Sequence, residues 1–323
     1  MDFWVTDDQV ALAEGMRAFV AGRFPAEWLH SVEETDAVLD RTKWRELGDM
    51  GVFSLRSDGM GAREATLVYE ELGRGLVPGP LVATHLAAEL IDGAADGTRI
   101  VSMFEPSGGV TMIEHATEVD DLLWFDGHDL RRIDPASLTL DPVGRPLDPL
   151  GPVLICLDGL DQVRSNSAVI ATGTPVRELS ELGVLLTAAL QVGVAAAATD
   201  LANEYAKGRE QFGRPIGSFQ AVKHMLAEMF VHADVARAAV RAGGCALDDA
   251  SDAEPARAVS GAKAVAGHAA LFCGKTGIQI HGGMGFTWEV DAQRYWKRAV
   301  ALDVSFGSTD DHSLAIADML IRP

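Results

Sequence analysis

Tyr205–Met229 reads YAKGREQFGRPIGSFQAVKHMLAEM, and the way it ends one long helix and starts another decides the fold. Upstream, Glu181–Lys207 has no proline and many alanines, which favours one uninterrupted helix. GRPIG breaks it. From Ser218 onward Phe219, Val222, Leu226, Met229, Ala233, Ala236 and Val240 step by threes and fours, a stripe that packs lengthwise on other helices. A third helix is expected from near Glu254 to Ile280, with Val259, Ala262, Ala266, Ala269, Cys273 and Thr276 on one side. A last helix should begin near Thr309 or Asp310. Long helices with Ala- and Gly-rich faces predict a bundle.

The rest of the chain has a different grain. From Thr6 to about Asp92 the pattern is helical. Thr6-Asp7-Asp8 suits a helix start, and Gly51, Gly59, Gly61 and Pro78-Gly79-Pro80 punctuate further helices. Between Gly97 and Gly173 the short apolar runs IVSMF, DLLWF, PVLICL and SAVIA predict strands. The expected fold is α+β and mostly α. It comprises an N-terminal helical domain (1–96), a small middle β domain (97–174) and a C-terminal four-helix bundle (175–323).

Composition excludes some roles. With 27 basic and 47 acidic residues the formal charge is −20, which repels nucleic acid and anionic membranes. No uncharged apolar run reaches the length of a bilayer span. Cys156, Cys245 and Cys273 are far apart and fit no metal-ligand spacing, so no metal is expected. The start MDFWVTDDQ lacks a signal-peptide pattern, and a cytoplasmic location is expected.

Two motifs carry chemistry. Arg209 lies at a helix end just before a turn, where its forked guanidinium suits a diphosphate. It could equally pair with Glu204 or Glu210. Gln211 and Phe212 come next, where the backbone turns. The second motif, QIHGGMGF at Gln279–Phe286, sets Gly282, Gly283 and Gly285 directly after a helix. Glycines let a nucleotide approach the main chain, or they simply stop the helix. Because they come after a helix and not a strand, they are no dinucleotide fingerprint. Gln220 and Gln279 can offer amide hydrogen bonds to ribose or adenine. Arg294, Lys297 and Arg298 form a basic cluster that can pair with local acids such as Glu289 and Asp291 or face CoA phosphates or a partner. His224, His268 and His281 read as packing or capping residues, and Trp288 and Trp296 as bundle or interface aromatics.

Together, in this order, the two motifs resemble the C-terminal domain of the acyl-CoA dehydrogenases, and the segment order of the whole chain fits that family. The resemblance implies FAD as cofactor, an acyl-CoA substrate, and an electron-transfer flavoprotein as acceptor. It implies that Arg209, Gln211, Phe212, Ile216, Gln220, Gln279, Gly282 and Gly283 grip the ADP half of a flavin bound by a neighbouring subunit, with Thr309 also in contact with flavin. The family base, a Glu in Tyr-Glu-Gly-Thr, corresponds here to Gly307 of Phe306-Gly307-Ser308-Thr309. An alternative base position about one long helix before the flavin-gripping Arg falls on Gly183. Glu181, two residues away, would be rotated by roughly 200° and is the fallback, with Glu178 and Asp303 as further carboxylates. Phe104-Glu105-Pro106-Ser107-Gly108-Gly109 keeps a trace of a flavin-ring segment, and Trp124 is followed by Phe125 and Asp126 without the hydroxyl the family has. The pattern resembles the base-lacking member of an α2β2 pair, such as actinobacterial enzymes acting on steroid side chains. The expected partner is then a second acyl-CoA dehydrogenase subunit. The alternatives are a self-sufficient enzyme with a displaced carboxylate and a scaffold without flavin.

Overall fold

The computed structural model describes residues 4–35, 38–105, 110–249 and 255–321. The N-terminal region carries α1 (Asp7–Arg23), α2 (Ala26–Val32), α3 (Arg41–Asp49), α4 (Ala62–Arg74) and α5 (Leu81–Ala87). The middle region carries β1 (Val101–Phe104), β2 (Thr111–Glu114), β3 (Asp121–Asp126), β4 (Asp129–Ile133), β5 (Thr139–Pro142), β6 (Val153–Asp158), α6 (Leu160–Asn166) and β7 (Ala168–Thr172). Then come α7 (Thr174–Gly208), the two-residue strands β8 (Glu210–Gln211) and β9 (Arg214–Pro215), α8 (Gln220–Asp248), α9 (Pro255–His281), α10 (Ala292–Asp303) and α11 (Thr309–Ile321).

These elements pack as two units, Met1–Ala26 with Ala62–Val77 and Val184–Pro323, and Glu27–Gly61 with Pro78–Gly183. The first unit thus draws on both ends of the chain. The three-region division read from composition tracks element type, whereas packing sets α1 and α4 among the C-terminal helices.

In the first unit, Thr6 and Gln9 form a capping box at the expected helix start. Each side chain bonds the other's backbone N–H, at 3.3 and 3.1 Å. Arg17 of α1 grips the buried Glu71 of α4 through two hydrogen bonds of 2.9 and 2.7 Å. The α8 stripe is buried at Met229, Ala233, Ala236 and Val240, but Phe219, Val222 and Leu226 at its start are only half-buried. On α9 the expected side is buried from Val259 to Cys273, and Thr276 is half-buried. Helix α7 carries an 18-residue stretch of mean hydropathy 1.8, all of it buried. By length and composition that helix could cross a bilayer, contrary to the expectation from the sequence, but here the stretch forms bundle core.

Glycine sets how closely these helices approach. A Cβ on Gly193 of α7 would overlap the Glu70 carbonyl of α4, and one on Gly73 would overlap the Leu190 carbonyl of α7. On α9, a Cβ at Gly274 would sit 2.8 Å from the Trp296 Cα of α10.

The second unit holds two sheets. One has the order β1-β3-β4-β7, parallel between β1 and β3 and antiparallel elsewhere; the other is the antiparallel β2-β6-β5. Ser102 of β1 donates to the Glu114 carbonyl of β2 at 2.7 Å, joining them. All four anticipated strands form. Strands β2, β4 and β5 were not anticipated, because TMIE, DLRRI and TLDP lack a continuous apolar run. Pro106–Gly109 of the anticipated flavin-ring segment lie outside the described residues.

Gly193→Ala is expected to destabilise by about 1–3 kcal/mol or more, because backbone on the facing helix cannot give way as a side chain can. Gly261→Ala is the control. A Cβ at Gly261, on α9, meets nothing within 4 Å, so this change should be neutral or stabilising by up to about 1 kcal/mol. Denaturant unfolding of both variants measures the difference.

Candidate cofactor and active site

Both sequence motifs lie in the first unit, and one contact brings them together. Tyr205 near the end of α7 stacks on His281 at the end of α9, with ring centroids 4.2 Å apart. The His281 Nδ1 lies 2.7 Å from the Gly277 carbonyl, and burial lowers its pKa. His281 is thus a packing residue, as expected. His224 is exposed, whereas His268, although exposed, packs against the His232 and Phe272 rings with centroids 5.1 and 6.3 Å away.

Just beyond Tyr205, β8 and β9 form a minimal hairpin whose turn is Phe212-Gly213, at φ +52° and +77°. Two successive left-handed residues match the twist of a two-residue hairpin. Glycine adopts that conformation freely, but phenylalanine does so at a cost of roughly 1 kcal/mol. The Phe212 ring is nonetheless 93% exposed. A strained, exposed aromatic at a hairpin tip gains little within this chain. Arg209 is also exposed, and its guanidinium has no partner among the described residues. Glu204, one of its two candidate partners, pairs with Lys207 at 2.6 Å instead. The Gln211 amide donates to the Glu210 carbonyl at 2.7 Å. Ile216 is half-buried and returns its N–H to the Arg209 carbonyl at 2.8 Å, which fixes the exit of the turn. Gln220 and Gln279 are exposed.

The glycines of the second motif divide their roles. Gly282 (φ +60°) and Gly283 are exposed, and a Cβ on either would meet nothing within 4 Å. Gly285 is a packing glycine, since its Cβ would lie 2.6 Å from the Ile278 carbonyl. The basic cluster is mostly spent locally. Arg294 is buried, bonding Asp291 at 2.9 Å, and Lys297 lies over the exposed Trp288 ring at 4.1 Å.

The segment around Gly307, also in the first unit, is tied down by hydrogen bonds from α9 and α11. Gly307 has φ +85°, and a Cβ there would sit 3.0 Å from His312 Nε2. His312 Nε2 donates to the Phe306 carbonyl at 2.7 Å, and burial lowers the pKa of the ring. Lys263, fully buried on α9, donates to the carbonyls of Gly307 at 2.8 Å and Asp303 at 3.0 Å. Desolvation lowers the Lys263 pKa from 10.5 to about 8, against the pull of Asp303 and Asp311. Asp303, one of the fallback carboxylates, accepts from the Thr309 hydroxyl at 2.5 Å and the Thr309 N–H at 3.2 Å. It therefore caps α11 and is not a free base, and the Thr309 hydroxyl spends its proton on Asp303. Neither Lys263 nor His312 was anticipated from the sequence. The available signal for Lys263 was a lone charge in the Ala/Gly run of GAKAVAGHAA, where α9 is most buried.

The second unit contains a cavity of about 680 Å³ whose lining includes Glu105, Phe125, His128, Thr174, Arg177 and Glu181. By helical rotation alone, Glu181 should point away from the site. Glu181 lines this cavity, half-buried, with Arg177 Nε 3.9 Å from its carboxylate. Desolvation raises the pKa of Glu181 and of Glu105. Gly183 is buried within α7, and Glu178 is exposed. In the same unit, Phe104 and Trp124 are buried with ring centroids 5.4 Å apart. Asp126 is held by Arg131 and Arg164 at 3.1 and 2.7 Å. The Trp124 indole N–H has no partner among the described residues.

Comparison with known proteins decides the family. The acyl-CoA dehydrogenase N-terminal domain model matches residues 6–97, and the C-terminal domain model matches residues 181–321. Acyl-CoA dehydrogenase IpdE2 of Mycolicibacterium smegmatis is 30% identical over 91% of this chain and 93% of its own length. IpdE2 of Mycobacterium tuberculosis is 30% identical over 91% of both. The chain belongs to the acyl-CoA dehydrogenase family. Among solved structures it resembles the ChsE4–ChsE5 complex from Mycobacterium tuberculosis (TM-score 0.82, 21% identity, all of both chains). It also resembles a variant of the Tcur3481–Tcur3483 steroid acyl-CoA dehydrogenase (TM-score 0.82, 23% identity, 98% of both chains). These likenesses confirm the fold, a helical protein with a small sheet region.

Acyl-CoA dehydrogenases are flavoprotein oxidoreductases that use FAD, and the two ends of that cofactor fit this chain unequally. The ADP end suits the unpartnered Arg209, the open Gly282-Gly283 turn and the exposed Gln211, Gln220 and Gln279. Toward the flavin ring, the Thr309 hydroxyl of the first unit is already donating to Asp303.

Lys263 makes a pH prediction. The unfolded chain keeps this proton up to about pH 10.5, and the folded chain releases it near 8. The stability associated with the lowered pKa is therefore fully present above 10.5 and lost as pH falls through 8. Relative to Lys263→Met, the wild type should gain on the order of 3 kcal/mol between pH 8 and 10.5. Parallel denaturation curves across that range measure it.

Proposed function

We propose that this chain is the FAD-contacting, base-lacking subunit of a heteromeric acyl-CoA dehydrogenase that oxidises an acyl-CoA at its α,β bond. One observation carries the reading. The family base position is Gly307, left-handed, backed by His312 and tied down by Lys263, while the nucleotide-gripping motif stands exposed with Arg209 unpartnered among the described residues. A second acyl-CoA dehydrogenase subunit supplies the carboxylate that removes the α-proton. Bound FAD supplies the acceptor for the β-hydride, giving the 2-enoyl thioester.

This chain's residues act on binding and orientation. Arg209 neutralises diphosphate charge, and the Gly282-Gly283 backbone and the Gln211, Gln220 and Gln279 amides fix the nucleotide. Phe212 is buried against the partner on assembly, which offsets its strained turn. With a net charge of −20, the chain needs Arg209 at the diphosphate to make this region tolerable to a polyanion. A steroid side-chain thioester is the favoured substrate class, supported by the steroid enzyme among the structural neighbours. An electron-transfer flavoprotein is the acceptor.

A second reading has one observation in its favour. Glu181, with its raised pKa and its place on the 680 Å³ cavity, has the attributes of a displaced base in a self-sufficient enzyme.

Purification of the chain alone and co-expressed with candidate partner subunits separates these readings. The isolated chain should retain little flavin, and the complex should carry about half the flavin per subunit of an ordinary family member, from the one-ring-per-pair stoichiometry. Arg209→Ala should weaken FAD retention by the complex about 10- to 100-fold, the loss of a charge-assisted contact. Unchanged flavin content would favour a flavin-free scaffold. Glu181→Gln should leave turnover by the complex within about threefold. If the isolated chain bleaches with acyl-CoA and loses that activity on Glu181→Gln, the second reading holds. Gly307→Glu should not confer activity on the isolated chain.

A further inference from the structure

Arg209 is not the only exposed arginine in the turn that joins α7 to α8. Arg214 opens β9, is exposed, and pairs with no carboxylate among the described residues. It lies instead over an aromatic ring, its guanidinium carbon 4.1 Å from the centroid of Phe219. That ring is a firm base. Phe219 immediately precedes α8, is half-buried, donates its N–H to the Ile216 carbonyl at 3.1 Å and accepts the Lys223 N–H at 3.1 Å. Phe212 meets the same ring nearly perpendicular, with centroids 6.2 Å apart.

The hairpin register places Arg214 relative to Arg209. Gln211 pairs with Arg214, and Glu210 with Pro215. Opposed residues of an antiparallel pair share a face, and faces alternate along each strand. One face of the ribbon therefore carries Gln211 and Arg214. The next pair outward, Arg209 and Ile216, joined by the Ile216 N–H, continues that face. Glu210, the only acid between Arg209 and Phe219, falls on the other side. Arg209, Gln211 and Ile216 belong to the nucleotide-gripping motif, and Arg214 is the remaining residue of their face. Each phosphate in the diphosphate bridge of a dinucleotide carries a negative charge, of which Arg209 offsets one. A guanidinium stacked on a ring commits its flat side and keeps its N–H donors at the edge, where an oxyanion can take them. Stacking also orders the side chain before the ligand arrives, which lowers the entropic cost of binding. We infer that Arg214, seated on Phe219, is a second diphosphate-binding residue, so that the hairpin offers a face of two arginines to the bridging phosphates. The inference rests on the flavin-contacting reading above and adds a residue to it.

Arg214→Met keeps an unbranched chain over Phe219 and removes the charge, whereas Arg214→Lys keeps the charge without the fork. Both are compared with wild type and Arg209→Ala in the co-expressed complex. FAD rebinding is measured after flavin removal, with ADP and adenosine as competitors. Arg214→Met should weaken FAD and ADP about 5- to 30-fold and leave adenosine within about twofold, and Arg214→Lys should recover part of the loss. A packing role alone would move ADP and adenosine equally, and that result overturns the inference. If Arg209→Ala weakens FAD and Arg214→Met does not, the inference fails while the flavin-contacting reading stands. If neither variant weakens it, both fail. A crystal structure of the wild-type complex with FAD gives a measurement independent of how the variants fold. An Arg214 N–H within about 3.2 Å (nitrogen to oxygen) of a phosphate oxygen is expected, and a guanidinium that touches only protein overturns the inference.

Discussion

Close backbone approach at glycine is the constraint on which the first unit depends. At Gly73 and Gly193, α4 and α7 meet backbone to backbone, and at Gly274, α9 meets the α10 main chain. Helices so near one another leave room for alanine and little else, which explains why the α7 and α9 faces are so poor in large side chains. Dispersion between backbones takes the place of interdigitated leucines. The same closeness brings Gln191, Gly267 and the Asp303–Thr309 segment around a single point, and it sets Tyr205 against His281, so that two motifs far apart in sequence share one end of the bundle.

Where signals were periodic, the sequence was legible. Helices α8, α9 and α11 begin within a few residues of expectation, and α7 and α9 end within a few residues of it, because apolar period and breakers agree there. The four strands with continuous apolar runs were also visible. Strands β2, β4 and β5 were not, since their residues alternate or carry charge, and DLRRI reads as a solvated loop until Asp121 and Asp126 are seen paired with its arginines. Helix α10 showed only as a basic cluster at helical spacing. At the site, identities were readable and commitments were not. No periodicity reveals that the Thr309 hydroxyl donates its hydrogen bond to Asp303, or that a lone lysine in an alanine run reaches two loop carbonyls. An ideal helix does turn Glu181 away from the Gly183 direction, but its geometry carries no information about which surface will be hollow beside it.

The bundle presents opposite electrostatic conditions at Arg209 and at Lys263. Around Arg209 the polar groups are exposed and largely uncommitted, which suits a ligand arriving from outside the chain. Around Lys263 they are buried and bonded inward. A buried ammonium carries a large desolvation cost, and a lowered pKa records it. Two carbonyl acceptors and nearby Asp303 and Asp311 offset that cost only while the Asp303–Gly307 segment stays in place. The lysine therefore favours one conformation of this loop, because any other would leave its charge unsolvated.

A base-bearing loop must differ from this one in more than a single side chain. Replacing a catalytic glutamate by glycine removes a carboxylate, yet glycine here also permits φ +85°, and His312 sits against the face where a side chain would emerge. A glutamate at this position would adopt a left-handed conformation that L-residues resist, and would meet an imidazole already bonded to the Phe306 carbonyl. The space beside Gly307 is occupied by His312. Each further commitment, from Thr309 to Asp303 and from Lys263 to the carbonyls, stabilises the filled form. Restoring a functional base would thus require repacking His312 and relaxing the backbone at Gly307 together. On the proposed subunit reading, that coupling makes a division of labour hard to reverse by any single substitution.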